Sequence, residues 1–477
     1  MPTDALELTT KHAIAHVLAN NNNSSSNNNG NSDSSESDSD DIDEYADVEV
    51  PVFASDSTVE GHYTHYCKEI LWPTFHYQIP DNPKSKAYED HSWVHYHALN
   101  QAVADAVVAN YEDGDTVWVH DYHLLLVPGM VRRKLPNATI GFFLHIAFPS
   151  SEVFRCLPTR KLLLQGMLGA DVIGFQTVEY ARHFRQSCQV VLGLRANPDG
   201  TIVVDHDGRT VSVVNMAIGI DAESIKTACQ DSEVVRWRQL IRERWGPHQK
   251  LVVGRDKLDE FRGVKNKLLA YERFLKIHPE YKEKATMIQV CLTNIASQDL
   301  ESEVSDIVTR INSSNSHVGA EPPVVFLHQD ILFEQYLALL CEADVFVVTS
   351  LREGMNLTCH EYVICQAAPE TSKGPLVLSE FTGSASVLSS TSSLSEPNGN
   401  KSGSAASNSS AADTCVLVNP WDTVEVAHAF FTALTMPDNE RDRRWRNLYA
   451  EVVVNTGAHW VNLFLSRLAD AAAPGRD

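Results

Sequence analysis

No apolar run in this 477-residue chain is long enough to cross a bilayer, so no membrane-spanning helix is expected. No signal-peptide pattern is read at the start either. Basic residues are scarce: 39 Lys and Arg face 62 Asp and Glu, a formal charge of −23. That balance argues against non-specific nucleic-acid binding and against an anionic membrane surface. None of the nine cysteines stands in a CxxC pair, and their number is odd. Reduced thiols in a cytoplasmic protein fit this better than a disulfide framework or a zinc site. Glycine is nearly missing from the first 49 residues, where only Gly30 occurs.

What is present is an alternation of strand-like and helical stretches. Residues 1–20 read as a short helix. Residues 20–44 are Asn and Ser followed by Ser, Asp and Glu, which cannot bury a core and predict a disordered acidic tail. Order is expected from about Val50. Thr116–His120, Ala138–His145 and Asp171–Phe175 read as strands, with a helix over Leu124–Lys134. Val203–Val214 reads as a hairpin turning at Asp207-Gly208. A second series begins at Lys250, with strands at Leu251–Gly254, Met287–Val290, Val324–Leu327, Val345–Val348, Leu376–Leu378 and Val416–Val418 and a helix over Lys265–His278. Two α/β halves in succession predict two Rossmann-like domains facing a cleft, with ligands beyond the carboxyl ends of the strands. The expected division is a tail over 1–49, domains over 50–225 and 226–435, and C-terminal helices from 436. Residues 384–414, rich in Ser, Ala, Asn and Gly, read as a disordered insertion.

The most informative stretch is Leu351–Glu361, between a buried strand and a helix. An exposed Gly354 there would let backbone approach a ligand, and free N–H groups at the helix start attract phosphate. Glu361, one turn into the helix, is placed to hold ribose hydroxyls.

His120-Asp121-Tyr122-His123, Phe143-Leu144-His145-Ile146-Ala147-Phe148-Pro149, Leu258-Asp259 with Gly263, and Leu351–Glu361 follow one another in the order seen in the trehalose-6-phosphate synthases. The chain resembles that family, retaining glycosyltransferases of GT-B architecture, from about residue 50 to 470. The resemblance implies transfer of glucose from UDP-glucose to glucose 6-phosphate without metal or other cofactor. It places His145 on the donor glucose, Asp121 near the acceptor and Glu353 on donor-sugar hydroxyls. It gives Lys257 and Arg262 to the diphosphate, and the backbone of Gly354, Met355, Asn356 and Leu357 to the sugar and phosphates. Ile331 falls where backbone reads uracil, and Glu361 where ribose is held. Each has an ordinary structural alternative: a strand-end His, a turn Asp or a surface cation.

Four departures from the family pattern stand out. The first strand, its Gly-rich loop and an early phosphate-binding Arg are expected to be missing before Val50. Lys257 replaces an Arg and loses the bidentate fork. Glu353 replaces an Asp, moving the carboxylate by a methylene. Cys291–Asp299 has no cation where the family has an Arg for the acceptor phosphate. Ile79–Ala87, Pro149–Cys156 and His360-Glu361 resemble the regulatory subunits of the fungal trehalose synthase/phosphatase complex, whose phosphatase-like domain is expected to be absent here. The reading is therefore a cytoplasmic, synthase-like scaffolding subunit, catalytically weak or inactive, partnered by the catalytic synthase and phosphatase subunits and retaining weak UDP-glucose binding. No nucleic acid or membrane partner is expected. The alternative is an active synthase.

Overall fold

A computed structural model describes residues 49–78, 90–204, 209–292, 298–315, 321–389 and 414–472. The expected helix over 1–20, the acidic tail, the 79–87 segment, the hairpin turn, the 293–297 part of the acceptor segment and residues 390–413 lie outside the described residues.

The first sheet has the order β1-β2-β3-β6-β5-β4. Its strands are β1 (Thr116–His120), β2 (Thr139–Leu144), β3 (Val172–Phe175), β4 (Arg195–Ala196), β5 (Thr201–Val203) and β6 (Thr210–Asn215). β1 and β2 run parallel, with Val119 opposite Phe142 and His120 opposite Phe143. β5 and β6 are the expected antiparallel pair, with Ile202 opposite Val211. β1 forms one edge among the described residues.

The second sheet has the order β12-β11-β10-β7-β8-β9, from β7 (Lys250–Lys257), β8 (Ala285–Leu292), β9 (Val324–His328), β10 (Val345–Val348), β11 (Leu376–Ser379) and β12 (Val416–Val418). Its pairings are parallel. Successive side chains point to opposite faces. Leu251, Val253, Ile288, Val290, Phe346 and Val348 therefore join one buried cluster, while Val252, Met287, Cys291, Val345 and Val347 join another. Helices cover both faces, which is why these strands read as unbroken apolar runs.

The chain forms two compact units. One contains the described residues up to Phe143, with Ser151–Ile173 and Arg185–Ser212; the other contains Leu144–Ser150, Gly174–Phe184 and the described residues from Val213. The partition does not fall at 225/226, and the C-terminal helices are not separate. Trp460, Phe464 and Leu468 on the Gly457–Ala472 helix are buried, and Ile220 bridges Thr456. The C-terminal helices are Asp438–Val454 and Gly457–Ala472, and that bridge falls between them. Residues 384–388 are likewise helical rather than disordered. Thr382 caps the Gly383–Leu388 helix by accepting from Ala385 N–H, and Leu388 is buried.

Among the described residues no helix is long and apolar enough to cross a membrane.

Candidate functional site

β10 ends at Val348, and the chain turns through Thr349–Asn356 into the Leu357–Cys365 helix. Asn356 caps that helix, its side-chain oxygen accepting from Cys359 N–H at 3.1 Å. Its own N–H donates to Ser384 Oγ at 3.0 Å, and Ser384 Oγ donates back to the Asn356 carbonyl at 2.9 Å. Ser384 Oγ also lies 3.0 Å from Met355 Sδ. One of the four implied backbone donors is thus held by a side chain from the next helix. Met355 and Leu357 are half-buried.

Gly354 is buried, not exposed as the sequence suggests. A Cβ at this position would overlap the His145 carbonyl oxygen and come within 2.8 Å of Ile146 Cα. The glycine is required by backbone packing on the segment after β2. Gly354→Ala must move that backbone, and overpacking costs typically 1–3 kcal/mol. A drop of several degrees in melting temperature is expected; an unchanged melting temperature would show that the two segments do not hold each other.

Glu353 is 7% exposed. One carboxylate oxygen is ion-paired with Arg262 Nη1. The other accepts from Ser350 Oγ at 2.8 Å and from Asn356 Nδ2 at 3.1 Å. Its backbone carbonyl accepts from Tyr180 Oη at 3.1 Å and from Gly383 N–H at 3.1 Å. Asp259 organises the loop that carries Arg262: its Oδ1 accepts from the N–H groups of Phe261 and Arg262 at 2.9 and 2.8 Å. Leu351 N–H then donates to the Phe261 carbonyl at 2.7 Å, joining the two loops. Burial pushes the Asp259 carboxyl up, opposed by the Arg262 charge. The carboxylate expected to hold sugar and a cation expected to hold diphosphate therefore engage each other.

Lys257 ends β7, exposed, opposite Leu292. Ile331, half-buried, sits between β9 and the Phe333–Glu342 helix. Glu361 accepts from Tyr336 Oη at 2.5 Å. Burial raises its carboxyl, opposed by that hydrogen bond and by Arg255. The Arg255 guanidinium stacks 4.4 Å from the Tyr336 ring. His145 follows β2; its carbonyl accepts from Gln176 Nε2 at 3.4 Å, and its ring centroid lies 5.7 Å from that of Trp460. His145, Arg262, Gly354 and Glu353 are thus brought together within the second unit.

Asp121 belongs to the first unit. It holds φ at +68°, a left-handed conformation uncommon for a residue with a side chain. Its N–H donates to the Phe143 carbonyl at 2.8 Å, which keeps it there. Strain of this kind costs about 1–3 kcal/mol and collects at functional sites. The next residue, Tyr122, accepts from Lys68 Nζ at 2.9 Å, and that ammonium lies 4.7 Å from the Trp72 ring.

Residues matched by the glycosyltransferase family 20 model run over 5–406 and 400–470. The chain belongs to that family. Among its relatives is the trehalose synthase complex regulatory subunit TSL1 of Saccharomyces cerevisiae, 49% identical over 87% of this chain and 35% of that protein. The regulatory subunit TPS3 of the same yeast is 48% identical over 86% of this chain and 36% of its own length. The chain thus spans about a third of these curated relatives. The 56 kDa alpha,alpha-trehalose-phosphate synthase subunit of S. cerevisiae is 37% identical over 88% of this chain and 79% of its own. Among solved structures, the N-terminal domain of Candida albicans trehalose-6-phosphate phosphatase superposes with a TM-score of 0.77, at 39% identity, covering 87% of this chain and 82% of that one. The Burkholderia multivorans synthase gives 0.74 at 28% identity, covering 88% and 84%. The fold is that of the GT-B synthases, α/β with two parallel-sheet domains.

Against this family 20 background, sequence reasoning missed Ser384, Arg255, Tyr336 and Lys68. Ser384 was read as part of a disordered tract. Arg255 lies two residues before Lys257 on the same strand, a signal that a second cation shares that strand's carboxyl end. Lys68 sits in a stretch rich in Tyr and Trp, a pattern that favours cation–π contacts.

Proposed function

We propose that this chain is a synthase-like regulatory or scaffolding subunit of a trehalose-6-phosphate synthase/phosphatase complex in the cytoplasm, weak or inactive as a transferase. The observation that carries the reading is the Glu353–Arg262 ion pair. A UDP-glucose entering the second unit must break a nearly buried, charge-assisted contact before it gains one, so binding is weak. Lys257 in place of a guanidinium removes a second, bidentate grip. In this reading His145 and Glu353 face the donor glucose, and Asp121 the acceptor. Arg262 and Lys257 face the diphosphate, and the Gly354–Leu357 backbone completes that grip. Ile331 lies by the base and Glu361 by the ribose. The names of the yeast relatives, and the phosphatase named for one structural neighbour, support a synthase-like body that serves an assembly.

The test is turnover by the purified chain with UDP-glucose and glucose 6-phosphate, followed by co-purification with the catalytic synthase and phosphatase subunits. Trehalose 6-phosphate at background level, together with co-elution, is expected. Robust turnover by the isolated chain would favour the second reading, an active retaining glucosyltransferase. That reading rests on the match to complete synthases over 79% of their length.

A further inference from the structure

Three cysteines far apart in sequence meet in the core of the second unit. Cys229 closes the Ala222–Ala228 helix, Cys341 lies on the Phe333–Glu342 helix, and Cys365 ends the Leu357–Cys365 helix. All three are buried. The Cys229 and Cys365 sulfurs are 3.6 Å apart, and those of Cys341 and Cys229 are 3.9 Å apart. The three sulfurs form one group, each within 4.8 Å of the others. Buried cysteines usually act as small apolar residues, and such packing does not require sulfur to face sulfur.

The two shorter separations, 3.6 and 3.9 Å, lie close to those of a metal-bound set. Sulfurs at about 2.3 Å from one ion stand about 3.8 Å apart in a tetrahedron and about 4.0 Å apart in a planar triangle. Thiolates select soft ions such as Cu(I) and Zn(II). Structural zinc takes four ligands, and the group holds three, with no fourth His, Cys, Asp or Glu among the described residues. The surrounding cluster is apolar, including Val234, Leu337, Ala338 and Tyr362. We propose that Cys229, Cys341 and Cys365 form a three-sulfur site for a soft monovalent cation, Cu(I). The ion replaces thiol protons, which leave to solvent. Arg238, on the helix that follows Cys229 and ion-paired to Glu342 at 2.6 Å, places a fixed positive charge that acts on Cys229 and Cys341. The site pins three helices at one point and is independent of the nucleotide-sugar reading.

The experiment uses the full chain, reduced and anaerobic, offered Cu(I) as its coloured bicinchoninate complex. Transfer of one ion per chain is expected, with X-ray absorption showing a shell of sulfur only. Cys341→Ser and Cys365→Ala should each weaken binding by more than about a hundredfold, beyond the loss typical of an outer-shell change. Cys156→Ser, at the exposed cysteine, should not. The melting temperature of the wild-type chain should rise on loading. No transfer, undiminished transfer to Cys341→Ser, or a nitrogen or oxygen scatterer in the wild-type shell would each overturn the assignment. So would preferential retention of Zn(II) offered in competition. The wild-type shell keeps the test decisive even if a variant fails to fold.

Discussion

Lys267→Met is expected to destabilise the second unit by about 3–5 kcal/mol, the range for breaking a buried ion pair from one side. Lys267 is fully buried in the Val264–Ile277 helix, its Nζ donating to Asp256 Oδ2 at 2.7 Å and to Gln289 Oε1 at 3.0 Å. Gln289 Nε2 donates to the same Asp256 oxygen at 2.9 Å. Gly254 makes the room, since a Cβ there would sit 2.5 Å from Lys267 Nζ. Methionine fills the volume but leaves the Asp256 carboxylate without its cation. Asp256→Asn added to Lys267→Met should recover part of the loss, because the uncompensated charge is gone. Urea titration of the single and double variants measures this. A deficit under about 1 kcal/mol for Lys267→Met would mean the pair is not desolvated as described.

Glu353→Gln is expected to tighten UDP binding by about tenfold or more, since a charge-assisted bond is worth about 1.5–3 kcal/mol. The amide retains an oxygen for Ser350 and Asn356 but cannot neutralise Arg262, whose guanidinium becomes available to a diphosphate. UDP-glucose should gain less than UDP, because the carboxylate proposed for the sugar is lost. Calorimetric titration of both ligands against both proteins separates the two effects. Weaker or unchanged UDP binding would show that Arg262 does not serve the diphosphate and would remove the main support for the proposed weak donor site.

The sheet was legible because its strands are apolar runs flanked by turns. β1, β10 and β12 coincide with the sequence reading residue for residue. The rest was hidden wherever tertiary contact overrides local pattern. Lys267 lies in an amphipathic helix where a lysine reads as solvated, and nothing local places it over Asp256. Gly354 reads locally as a ligand-facing glycine, but its neighbour is the backbone of residue 145, more than two hundred positions away. The sulfur cluster gathers residues with no common spacing. The left-handed backbone of Asp121 is set by a hydrogen bond to β2, not by any glycine-like signal. The Glu353–Arg262 pair joins two residues whose separate assignments came from resemblance, and resemblance does not report that they would face each other.

The bridge from Ile220 to Thr456 and the tilted ring contact of Trp460 with His145 bear on biosynthesis. On the ribosome His145 emerges long before Trp460, and at about 5–20 residues per second the delay is roughly tens of seconds. Throughout that interval the nascent chain carries apolar segments whose packing partners are still untranslated. A chaperone would meet the chain in this half-finished form.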